Sequence, residues 1–115
     1  MNLNDFAKLI DWRFKKCEDL LLGAKNVEYS RNGDKLHNFK VAARMRNNTP
    51  EDALIGMWIK HIISILDIVD DINRGETPVF EMVEEKITDS INYLLLLEAL
   101  FEERKKGEEE YDPIC

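Results

Sequence analysis

Apolar side chains recur along this chain at steps of three and four residues, and nowhere in the strict alternation of a half-buried strand. Four helices follow from that spacing. The first is expected from about Asn4 to Lys25, with Phe6, Leu9, Ile10, Phe14, Cys17, Leu20 and Leu21 on one buried face and the charges on the other. Asn32-Gly33 is a turn signal. Asp34 can then cap a short helix from Lys35 to about Arg46, packed through Leu36, Phe39, Val41, Ala42 and Met45.

The segment "NNTPEDAL" is a helix start, with Thr49 as N-cap and Pro50 at the first helical position. That third helix runs to about Asn73, where Arg74-Gly75 stops it. Thr77-Pro78 repeats the device and opens a fourth helix to about Lys105 or Lys106. The pattern predicts an all-α, four-helix bundle-like domain with one short member over residues 1–107, and a frayed acidic tail over 108–115.

Two polar stripes complicate this picture. On a wheel at 100° per residue, Lys60, Ser64, Asp67 and Asp71 share a sector of roughly 60° on a third helix otherwise apolar almost all round. Glu81, Glu85, Asp89 and Asn92 share roughly 80° of the fourth. A short loop at Arg74–Glu76 makes the two helices antiparallel neighbours, so Asp67 and Asp71 can meet Glu85 and Asp89. Converging carboxylates repel and raise one another's pKa, and such oxygen clusters are what Mg²⁺ or Mn²⁺ requires. The competing expectation is two ordinary solvated faces. Lys60, on the same stripe, suits a phosphate contact.

Composition narrows the chemistry. A formal net charge of −7 on 115 residues argues against a nucleic-acid polymer as partner, although a single nucleotide held through a divalent cation remains compatible. Two cysteines, Cys17 mid-helix and Cys115, make no disulfide framework and fit a reducing cytosol. The opening segment is interrupted by charges too often for a signal peptide, and no apolar run reaches membrane length. A cytoplasmic location is therefore expected. His37 and His61 are expected to be satisfied polar residues, since no zinc-type spacing surrounds them. Phosphate-binding glycine loops and nucleophile elbows are missing from the sequence, leaving metal-activated water as the open chemistry.

The segment "EEKITDSINYLLLLEAL" resembles the second acidic motif of the all-α nucleoside triphosphate pyrophosphohydrolases, the MazG and dimeric dUTPase group. "KNVEYSRNGDKLHNF" is similar to the opening of small phage proteins with a nucleotide-modification-associated domain. The likeness covers about Lys25 to Leu100, and its motifs are short. It implies Mg²⁺-dependent cleavage of a nucleotide to monophosphate and pyrophosphate by a cytoplasmic homo-oligomer. By position, it assigns Asp67, Asp71, Glu85 and Asp89 to metal, and Glu85 would also orient the attacking water. Asn92, Lys25, Asn26 and Tyr29 would contact nucleotide beside Lys60. The acids here stand four residues apart, where the family favours three. A non-catalytic helical interaction protein, for example a phage factor binding a host protein, is the alternative.

Overall fold

A computed structural model describes residues 1–23 and 33–110, and side chains as far as 108. Four helices and no strand make up the described residues: α1 (Leu3–Leu22), α2 (His37–Arg46), α3 (Pro50–Asn73) and α4 (Phe80–Glu110). The all-α, four-helix expectation is met.

Local chemistry sets most of the ends. The Asn2 side chain accepts from the Asp5 amide at 2.8 Å and starts α1. Thr49 accepts from the Asp52 amide at 3.2 Å, with Pro50 just inside α3 as expected. Asn47 takes the left-handed conformation, φ 53°, that ends α2, and Gly75 (φ 87°) follows α3. Two ends differ from expectation. The Val79 carbonyl, not a Thr77 cap, accepts the opening amides of α4, from Met82 and Val83. At the other end α4 continues through Gly107 to Glu110, so residues 108–110 are helical where a frayed tail was expected. A single glycine costs a helix only about 1 kcal/mol, too little to break one this long.

Leu36, Phe39, Leu54 and Leu100 form the core cluster, with Met57, Tyr93, Leu96, Leu97 and Ala99 packed around it. It therefore sits where α2, α3 and the middle of α4 meet. Ion pairs at its rim fix the registers. Arg104 grips Glu51 through two 2.9 Å hydrogen bonds, tying the start of α3 to the far part of α4. Lys40 bridges Asp34 at 2.8 Å and Glu103 at 3.0 Å, holding α2 to α4.

Helix α1 lies apart from this core and, among the described helices, packs its backbone against α4. It runs parallel to α4, as successive contacts show. The Arg13 guanidinium donates to the Thr88 hydroxyl and, at 3.1 Å, to the Glu84 carbonyl. One turn later the Cys17 thiol meets the Thr88 carbonyl at 3.9 Å. The buried face expected for α1 is therefore realised only at Cys17, with Leu21 half-buried, while Phe6, Leu9, Ile10, Phe14 and Leu20 stay exposed. Helical periodicity marks a face that wants a partner and does not say whether the chain supplies one. The same correction applies to α3. Leu54 is fully buried, but Ile55, Ile59, Ile63, Leu66, Val69 and Ile72 are exposed.

Candidate functional site: a polar-walled cavity between the helices

The end of α1, the start of α2, the middle of α3 and the middle of α4 leave a gap between them. This cavity, of about 360 Å³, receives side chains from all four helices. Leu20, Leu21, Phe39, Met57 and Leu96 form its apolar walls. Its polar groups are Lys35, Asn38, His61, Asp89, Asn92 and Tyr93. A concave apolar site with a few converging polar groups is the usual form of a small-molecule site, and this volume is near the lower end of the common range.

The polar groups are incompletely satisfied. Asn92 is 8% exposed and its side-chain oxygen has no hydrogen-bond donor among the described residues. His61 Nδ1 lies 3.4 Å from Asp89 Oδ2, close enough for an ion pair. The two are nevertheless poorly aligned, and Nδ1 is buried without a hydrogen bond. His61 thus has an acidic neighbour, and its Nδ1 makes no hydrogen bond among the described residues. Its ring stands 5.4 Å from that of Tyr93, tilted by 43°. Burial, assisted by the Asp89 charge, holds the Tyr93 phenol above its ordinary pKa and keeps it a hydrogen-bond donor. Burial lowers the pKa of Lys35, the cavity's cation. A buried carbonyl oxygen and an imidazole nitrogen without a hydrogen bond among the described residues are groups that a polar ligand can complete.

The residues singled out in the sequence divide. Asp89 and Asn92 line the cavity. Asp71 is half-buried at the end of α3 and is taken by Arg74 at 2.5 Å. Glu85 is exposed with Lys86 at 3.8 Å, and Lys60, Asp67 and Glu81 are exposed too. Lys25, Asn26 and Tyr29 fall outside the described residues. The antiparallel hairpin does form, and its register puts the end of α3 level with the start of α4. Rotation separates the acids. Leu54, Met57 and His61 lead the packed face of α3, and Asp67 and Asp71 stand roughly a quarter to a third of a turn to one side of it. Among the described residues no three acidic, histidine or cysteine side chains are grouped as a metal requires. Asp67, Asp71, Glu85 and Asp89 therefore do not fit Mg²⁺ within one chain, because two of them are drawn to basic neighbours and one faces outward.

Lys35, Asn38, His61 and Tyr93 were not singled out from the sequence as site residues. A usable signal existed for His61, which falls one turn after Met57 on the apolar face of α3, where an imidazole has a reason to be. No protein-family model, curated protein or solved structure matches the chain. Among the described residues no helix is long and apolar enough to cross a membrane.

Proposed function

We propose that the interhelical cavity binds a nucleotide through its nucleoside part, making this a nucleotide-handling protein of the kind its sequence resembles. Asn92 carries the reading. A nearly buried carboxamide oxygen on the cavity wall, without a donor among the described residues, calls for a ligand N–H or O–H. Asp89 offers an acceptor beside it, and Tyr93 and His61 offer ring surface. Lys35 supplies a positive charge for a phosphate. Calorimetric titration with a panel of nucleoside mono- and triphosphates, with and without Mg²⁺, tests this directly. Binding that Asn92→Leu abolishes supports it, and no heat with any nucleotide would sink it.

A stronger form of the reading is cleavage to monophosphate and pyrophosphate with Mg²⁺. It needs carboxylate ligands that one chain does not assemble from Asp67, Asp71 and Glu85. Pyrophosphate release across the same panel separates binding from turnover. The rival, a non-catalytic interaction protein, draws on the exposed apolar faces of α1 and α3. It expects tight capture of a protein partner that Asn92→Leu leaves intact.

A further inference from the structure

Helix α3 is apolar on two sides. Leu54, Met57 and His61 pack into the chain, while Ile55, Ile59, Ile63 and Leu66 occupy a sector of roughly 80° on the opposite side. Exposure rises along that outward stripe to 52% at Ile63 and 57% at Leu66. Gly56 lies at its edge, and a Cβ added there would meet nothing within 4 Å. The chain itself gives no packing reason for a mid-helix glycine that costs about 1 kcal/mol. Close approach of another helix would give one.

The exposed area points the same way. The chain exposes 8964 Å². A compact monomer of 13.5 kDa exposes roughly 6,500 Å², which leaves an excess of about 2,400 Å². An elongated outline of 60 × 34 × 30 Å accounts for part of it. A standard interface withdraws only about 800 Å² from each partner, roughly a third of that excess.

Charge selects the occupant. Gly56, Ile59, Ile63 and Leu66 follow the three-and-four spacing of a coiled-coil seam, and Lys60 and Asp67 stand one heptad apart on the same flank. Both are exposed, and neither has an ion-pair partner among the described residues. When two copies of one helix pack antiparallel, each flank meets itself in reverse order. Lys60 then faces Asp67 of the second copy, and the contact occurs twice. A parallel pair would not bring them together.

We propose that the outward stripe Ile55, Ile59, Ile63 and Leu66 is a homodimer interface in which two copies of α3 pack antiparallel, with reciprocal Lys60–Asp67 ion pairs. The geometry is self-complementary about a two-fold axis, so it closes at two chains. It is independent of what the cavity binds.

Sedimentation equilibrium of the full chain at about 100 µM should give twice 13.5 kDa. Ile63→Glu should give a monomer with unchanged helical circular dichroism, since the replaced side chain is half exposed. Lys60→Glu or Asp67→Lys alone should weaken the dimer at least about tenfold by setting like charges together, and the double swap should restore it to within about threefold. A monomeric wild-type chain, a dimer that survives Ile63→Glu, or a double swap no tighter than the single ones would each overturn the proposal. If Ile63→Glu loses its helical signal, the charge-swap set decides alone.

Discussion

His61 and Asp89 face each other at 3.4 Å across the α3–α4 hairpin without a hydrogen bond between them. The Asp89 carboxylate therefore stands at the cavity wall without a hydrogen bond from that imidazole to occupy its lone pairs. Asp89→Asn should weaken nucleotide binding by at least about tenfold, the scale of one charge-assisted hydrogen bond. Asp67→Asn and Glu85→Gln should leave cavity affinity unchanged, because both residues lie on exposed surface. Titrating the three variants side by side distinguishes a cavity site from a site between the acidic stripes. Equal losses in all three would favour the stripes.

Asn92 poses a conflict between stability and binding. Its buried oxygen, without a partner among the described residues, costs about 1–3 kcal/mol in the free protein. Asn92→Leu should therefore melt at the same temperature as the parent or higher, while losing ligand affinity. Thermal unfolding without ligand checks the first half, and a clear destabilisation would show that the carboxamide is satisfied in solution.

Arg13 anchors α1 through the Thr88 hydroxyl and the Glu84 carbonyl. Arg13→Ala should loosen α1 while leaving the α2–α3–α4 core intact. Cys17 reports this, because it is 1% exposed and burial holds its thiol above the ordinary pKa, with the Arg13 charge opposing and Asp89 assisting. Alkylation of Cys17, followed by peptide mass spectrometry, should be slow in the parent and faster in Arg13→Ala. Amide exchange should rise in α1 alone.

Two carboxylates set the acid limit. The hydrogen bond from Lys40, with the Leu36 amide, holds Asp34 below its ordinary pKa of 3.8. Burial pushes Glu51 up, but its hydrogen bonds and the Arg104 charge outweigh this and leave it below 4.5. Protons thus bind the unfolded chain more readily than the folded one. Stability should be complete well above these values and fall as pH drops through about 4, continuing until the folded carboxyls protonate. The hydrogen bonds that Lys40 donates to Asp34 and Glu103 raise its pKa above 10.5, so its contribution is present below that value and lost as pH rises past it. Melting temperature against pH should show both shoulders, and Asp34→Asn should reduce each.

The helices were legible because their signals are local. Thr49-Pro50 and Gly75 bound α3 where expected, through a cap bond and a positive φ. The α4 start differs from expectation by two residues because Thr77-Pro78 carries the usual cap chemistry while the first helical bonds go to Val79. The site was half legible. Asp89 and Asn92 were reached by tracing a polar stripe, but that stripe turns gradually from solvent into the cavity, so Glu81 and Glu85 at its start are exposed. Which side of α3 meets the chain depends on how α2 and α4 pack, a non-local fact that a wheel cannot hold. Lys35 and Asn38 reach the cavity by the same tertiary route.

Helix α1 contributes Leu20 and Leu21 to the cavity, and among the described helices its backbone packs against α4. Among the described helices this wall of the site packs against one neighbour, where α3 packs against two. Linkage follows from that arrangement. A ligand that touches those leucines binds the docked form of α1 in preference to any undocked form, and so tightens the α1–α4 contact by the same free energy that docking adds to its own affinity. Substitutions at Arg13 or Thr88, with no contact to ligand, would then appear in a titration as a weaker apparent Kd with unchanged stoichiometry, the mark of a competent state only partly populated.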